Sequence, residues 1–298
     1  MLITHGAKQA LFGAFSALLS RGDEVLVPAP YWVTFPSSVR LAGGTPAIVE
    51  PAPGTLKVTV DELEAARTPT TRVLLLCSPN NPTGLVHDET ELAAILDWAV
   101  HRDLWLVADE TYADLAIRPV PAPARVDPRI ADRLVTIGGV SKSFAMTGWR
   151  VGWVAGPRRI VTAATAVQSH TTSNVAEVTQ AAALAALTGE DVTAGFREVL
   201  ARRRGLCKAV LGPLGLFDPE PEGAFYVFPD VSAYGTDVDV VSALIEQGVI
   251  TVPGSSFGAP GRIRISYATG EDDLTAGLQI IARTLPRLRA GSSTGDQR

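Results

Sequence analysis

Cysteine is almost absent from this chain of 298 residues. Cys77 and Cys207 are the only two, too few for a disulfide framework and in keeping with a reducing cytosol. Neither has metal-type spacing, and the four histidines, His5, His87, His101 and His170, show none either, so no metal site is expected. Positive charge is not in excess. The net charge is −5, and the one dense basic run, Arg202-Arg203-Arg204, falls in a helical pattern where a solvated face explains it, which argues against a nucleic-acid partner. The sequence shows no apolar run of membrane-spanning length and no basic-then-apolar leader, so the expected place is the cytoplasm, away from membranes. There is no Gly-Lys dipeptide for a nucleotide-type P-loop. Gly139-Val140-Ser141-Lys142-Ser143 lacks the second glycine of a hydrolase nucleophile elbow.

What is present is an ordinary globular composition, 46% hydrophobic with 27 glycines and 21 prolines, in a chain long enough for two unequal domains. From Asp23 to Ile137, short β-branched runs alternate with helical stretches, the pattern of an α/β fold whose mostly parallel, mixed sheet has helices on both faces. The expected strands are Glu24–Pro28, Thr45–Glu50, Arg72–Ser78, Leu104–Asp109 and Arg133–Gly138, with helices at Gly6–Ser20, Asp61–Ala66 and Asp88–His101. A strand at Arg150–Ala155 follows with no helix before it and is expected to run antiparallel. Alanine-rich helices over Pro157–Ser169, Val175–Leu187 and Val192–Leu211 lead to a second series: strand Ala224–Pro229, helix Val238–Gln247, strands Val249–Val252 and Arg262–Tyr267, and helix Asp272–Leu288. The division expected is a large domain over 1–189, a smaller C-terminal α+β domain over 190–289 and an unfolded tail over 290–298. Met1-Leu2-Ile3-Thr4 reads as the end of a strand entering a helix, as though the chain opened in the middle of a fold and lacked an N-terminal part.

Ligands of open α/β sheets sit beyond the carboxyl ends of the strands. Asn81, Asp109, Tyr112 and Lys142 all end or follow such strands, and Gly6-Ala7-Lys8 opens a helix after the first strand remnant. Singly, Asn81 is a turn residue, Asp109 a helix cap, Tyr112 a core residue and Lys142 a solvated lysine. As an ordered set they suit the parts of one cofactor, pyridoxal phosphate. Lys142 is the candidate for its Schiff base, Asp109 for holding the pyridine nitrogen protonated, and Asn81 and Tyr112 for bonding the phenolic oxygen. The first N–H groups of the Gly6–Ser20 helix, together with Arg150, suit the phosphate.

Three segments carry a family resemblance: Ser78-Pro79-Asn80-Asn81-Pro82-Thr83-Gly84, Asp109-Glu110-Thr111-Tyr112, and Ser141-Lys142-Ser143-Phe144-Ala145-Met146-Thr147-Gly148-Trp149-Arg150-Val151-Gly152. They resemble the signatures of class I and II (fold type I) pyridoxal-phosphate aminotransferases. Gly6-Ala7-Lys8-Gln9-Ala10, Pro30-Tyr31-Trp32-Val33 and Gly223-Ala224-Phe225-Tyr226 are most similar to the bacterial aspartate aminotransferase branch. The resemblance implies a ping-pong transamination in which Lys142 anchors the cofactor and carries the α-proton. It implies that Trp32 stacks on the ring, with Tyr31 as the alternative. Arg264 would pair with the substrate α-carboxylate and Arg262 is the alternative register. Lys8 in the phosphate loop implies an aspartate- or glutamate-like donor, the other reading being a surface lysine. The resemblance also implies a homodimer with shared sites, to which Gln168-Ser169-His170-Thr171-Thr172-Ser173-Asn174 is the candidate contribution.

Two departures stand out. Gly139 occupies the position where some relatives have a phosphate-binding serine, leaving Ser141, Ser143 or Arg150 to compensate. The resemblance also implies an N-terminal segment that covers the site, and that segment is expected to be missing here. Two other readings share the motifs. One is another pyridoxal-phosphate reaction, such as a C–S lyase, a decarboxylase or a synthase; the other is a non-catalytic effector domain of a regulator.

Overall fold

The computed structural model describes the backbone of residues 1–292 and the side chains of residues 1–288. The first half of the chain runs β1 (Leu2–Thr4), α1 (Ala7–Leu18), β2 (Glu24–Pro28), α2 (Thr34–Leu41), β3 (Thr45–Val49), α3 (Val60–Ala66), β4 (Thr71–Cys77), α4 (Glu89–His101), β5 (Trp105–Asp109), α5 (Pro123–Val126), β6 (Leu134–Gly139) and β7 (Gly152–Ala155). These strands form one seven-stranded sheet in the order β1-β7-β6-β5-β4-β2-β3. Pairs among β2 to β6 are parallel, and β7 runs antiparallel to both β6 and β1, so the mixed α/β sheet is as expected.

The two-residue period of a strand explains the layers. Val73, Leu75 and Cys77 of β4 point to one face, where α1, α2 and α6 (Arg158–Ser169) supply Leu11, Phe15, Phe35 and Ile160. Leu74 and Leu76 point to the other, against Leu63 of α3 and Leu92, Ile95 and Leu96 of α4. Burial on both sides is why these strands read as continuous apolar runs. Capping boxes start the helices of the second face, Thr59 with Glu62 and Asp88 with Glu91.

Helices α7 (Glu177–Thr188) and α8 (Val192–Leu211) lead to β8 (Tyr226–Val227), α9 (Asp237–Glu246), β9 (Val252–Pro253), β10 (Ile263–Ser266) and α10 (Glu271–Ser292). The three strands make an antiparallel sheet, β8-β10-β9, over a core of their own that includes Cys207, Leu211, Val240, Leu244, Ile265 and Leu278. Several boundaries differ from the pattern-based expectation. Val249 is not in a strand, because its N–H bonds back to Leu244 O after the turn at Gly248, φ 83°. Arg150 lies outside β7, in a left-handed conformation at φ 55°. The last helix continues through Ser292, taking in the first residues of the expected tail; residues 293–298 lie outside the described residues. Among the described residues no helix is long and apolar enough to cross a membrane, and no group of side chains could hold a metal ion.

Candidate active site

The carboxyl ends of β4 and β5 stop at one level, β6 runs two residues further, and the loops beyond them open a cleft of about 330 Å³. Register sets its floor, since Cys77 at the end of β4 is the direct partner of Asp109 at the end of β5. Asp109 is 4% exposed, and burial raises its carboxyl pKa. Thr111 opposes that shift, donating from its backbone N–H and its hydroxyl to the same oxygen, Oδ1. No hydrogen bond reaches Oδ2 from the described residues. Burial and the neighbouring Asp109 push the Cys77 thiol well above its ordinary range, so it stays neutral.

Lys142 enters from the turn after β6, half-buried, with Nζ 5.7 Å from the centroid of the Phe225 ring. Its pKa is lowered, first by burial and then by the charges of Arg264 and Arg150. Asn81 and Tyr112 form the wall beside it. Asn81 Nδ2 lies 3.4 Å from the Tyr112 hydroxyl, and Asn81 Oδ1 accepts from Arg264 Nη1 at 2.9 Å. Arg264 is clamped between the rings of Tyr226 and Phe257, its Cζ at 4.5 and 4.8 Å from their centroids. Its Nε is buried with no partner.

The opposite end of the cleft is the start of α1. Gly6 at its N-cap has φ 81°, makes no side-chain cap, and is followed by a first turn without acidic residues, so the opening N–H groups face the cleft uncapped. Arg150 lies over them, donating to Thr147 O at 2.9 Å and His5 O at 3.2 Å. Lys8 stands at the rim with Nζ 5.2 Å from the Trp32 ring.

All the residues expected from the sequence therefore meet here, Gly6 through its contact with Arg150. The alternatives differ in position. Trp32 lines the cleft, whereas Tyr31 packs its ring against Gly258. Arg264 faces the cleft, whereas Arg262 bonds to Phe228 O and pairs with Asp230. Gly139 packs against Val151 O and Gly152, where a side chain would crowd the backbone of β7; Ser141 reaches the cleft and Ser143 is buried outside its lining. The segment 168–174 lies beside α1, with Gln168 donating to Ile3 O, and does not line this chain's cleft. Thr111, Thr147, Cys77 and Tyr226 line the cleft without having been singled out. Cys77 had a signal, being the last residue of a strand whose neighbour ends in Asp109.

A sequence profile of the family described as aminotransferase class I and II matches residues 1–281. The chain belongs to that family. As a transaminase, this aminotransferase moves an amino group between an amino acid and a 2-oxo acid. It is 45% identical over 304 aligned residues to the aspartate aminotransferase of Streptomyces avermitilis, covering 96% of this chain and 74% of that relative. The aspartate/prephenate aminotransferase of Thermus thermophilus is 42% identical, with 96% and 75% covered. Among solved structures, the aspartate aminotransferase of Thermus thermophilus with maleate superposes with a TM-score of 0.90 at 41% identity, over 95% of this aminotransferase and 75% of that chain. The expected family and fold class are both borne out.

Proposed function

We propose that this aminotransferase works with pyridoxal phosphate bound through Lys142, and takes an aspartate- or glutamate-like amino acid as donor. One observation carries the reading. Four basic residues, Lys8, Lys142, Arg150 and Arg264, line a cleft with a single carboxylate, Asp109, and none of the four has an ion-pair partner among the described residues. Lys8 and the two guanidinium groups alone outnumber that carboxylate, so the cleft suits a ligand with several negative charges.

The residues fit that cofactor group by group. Arg150 and the uncapped start of α1 would hold a phosphate. The buried Asp109, with its free Oδ2, would accept from a ring N–H, and Asn81 and Tyr112 would bond an oxygen on the opposite edge. When bound, pyridoxal phosphate supplies the electron sink that allows the Cα–H bond of an amino acid to break.

The chain's own groups do the rest. Arg264, fixed by Asn81 and two aromatic rings, offers its guanidinium for the α-carboxylate. Lys142, its ammonium form disfavoured by burial and by two guanidinium charges, is available as the neutral amine that takes the proton from Cα and returns it. Lys8, held over Trp32 at the rim, would meet a side-chain carboxylate. The reading includes a cytoplasmic homodimer, supported by two free, buried thiols and by the exposed Val178, Leu184 and Leu187 on α7.

The test is an absorbance spectrum with added pyridoxal phosphate. Wild type should show a near-visible band that borohydride fixes on Lys142, and Lys142→Ala should show none; a colourless wild type overturns the cofactor. Lys8→Ala should weaken aspartate at least tenfold more than alanine, and equal losses for both would remove the substrate class.

A further inference from the structure

We propose that Tyr226 is a positioning residue of the reaction: its hydroxyl closes a ring with Asn81, Tyr112 and Arg264 that turns the Tyr112 proton toward the cleft when a carboxylate occupies Arg264. The inference rests on the reading of Arg264 and Tyr112 given above and adds a residue that reading does not use.

The ring is continuous. Tyr226 and Tyr112 share a hydrogen bond between hydroxyls at 2.9 Å, and their rings meet edge-on at 5.9 Å. Arg264 lies over the face of Tyr226 and bonds Asn81 Oδ1, while Asn81 Nδ2 returns to the Tyr112 oxygen. Tyr112 and Tyr226 are both 5% exposed and both line the cleft, so their hydroxyls are shielded on every side but that one.

Only one proton lies between the two hydroxyls, and two arrangements compete. Burial raises both phenols and keeps them neutral. The Arg264 charge favours negative charge on Tyr226, and so favours Tyr226 as acceptor with Tyr112 donating to it. In that state the Tyr112 proton points away from the cleft. A carboxylate on Arg264 cancels that charge and removes the bias. Tyr226 then donates to the Tyr112 oxygen, and the Tyr112 proton is free to bond an acceptor in the cleft. The hydroxyl matters more than the ring, since Phe257 covers the other face of Arg264.

The experiment is an absorbance titration of the pyridoxal-phosphate-loaded protein, with and without saturating maleate as an unreactive carboxylate. Because Arg264 lowers the pKa of Lys142, maleate should move the apparent pKa of the visible band upward in wild type. In Tyr226→Phe, maleate should bind within about threefold of wild type while that upward shift grows by half or more, because the Tyr112 proton then faces the cleft with or without maleate and no longer swings in to oppose it. The effect should vanish in a Tyr112→Phe background, the signature of one residue acting through another. Melting temperatures check that each variant is folded, and Tyr226→Leu separates loss of the ring from loss of the hydroxyl. An unchanged shift in Tyr226→Phe, or an equal change in both backgrounds, overturns the proposal. Unchanged maleate binding in Arg264→Ala would instead overturn the carboxylate assignment beneath it, and the proposal with it.

Discussion

The guanidinium of Arg150 occupies the space a side chain on Gly6 would need, with Cζ 3.0 Å from the position of the missing Cβ and Nη2 closer still. Gly6 also has φ 81° and ψ 169°, a conformation essentially reserved for glycine. Two requirements thus converge on one residue, a turn into α1 that leaves its N–H groups open and a bare surface on which a cation can lie. Gly6→Ala should cost about 1–3 kcal/mol of stability and displace Arg150. Affinity for pyridoxal phosphate should fall at least tenfold while affinity for pyridoxal, which has no phosphate, changes little. Fluorescence titration with both measures this, and equal losses would refute the phosphate assignment.

Among the described residues, Thr111 is the one that steadies the charge on Asp109. Thr111→Val removes the hydroxyl donor and leaves the backbone N–H, so the Asp109 carboxyl should rise further and become protonated at higher pH. A hydrogen bond to a charged group contributes about 1.5–3 kcal/mol, so pyridoxal-phosphate affinity at neutral pH should drop roughly tenfold or more, and the acid limb of its binding profile should move to higher pH. Thr111→Ser should restore both. A valine variant with an unshifted profile would show that the hydroxyl is idle.

His87 predicts a pH effect on stability. Its imidazole is buried with both ring nitrogens unpartnered. Burial lowers its pKa and Lys57 adds to that, against the opposing charges of Glu91, Asp88 and Glu222. The native state holds it neutral, whereas the unfolded chain takes up the proton near pH 6.5. Below that pH the unfolded state binds more protons, so this group's contribution is intact at neutral pH and is lost as the pH falls. Urea melts between about pH 7 and pH 5 should show a shallower decline for His87→Leu than for wild type; parallel declines would contradict it.

How far the sequence could be read depended on distance along the chain. The central strands were legible because apolar runs such as Val73 to Cys77 are short and bounded by turns, and α4 because Asp88 and Glu91 mark its start. Helix α2 was not, since Pro36 and two serines hide a helix that Phe35 and Val39 hold by packing against the sheet. Strands β8 and β9 were expected at Ala224–Pro229 and Val249–Val252, but each is only two residues long, so their bounds were not legible. The site was legible where a residue sits within its motif, as Asp109 and Lys142 do. Tyr226 lies 114 residues from Tyr112, and only the folding of one sheet against the other brings their hydroxyls together.

The bond from Arg264 to Asn81 is one of the links, with the Tyr112–Tyr226 bond and the apolar contact of Leu115 with Ala224, between the core under the three-stranded sheet and those around the seven-stranded sheet. A substrate gripped by Arg264 and by the groups beyond β4 to β6 would work as a rivet, adding its own grip wherever the two interiors would part. Ligand that prefers the assembled state stabilises it by mass action, so a full cleft would make the two halves melt together and resist proteases as one body.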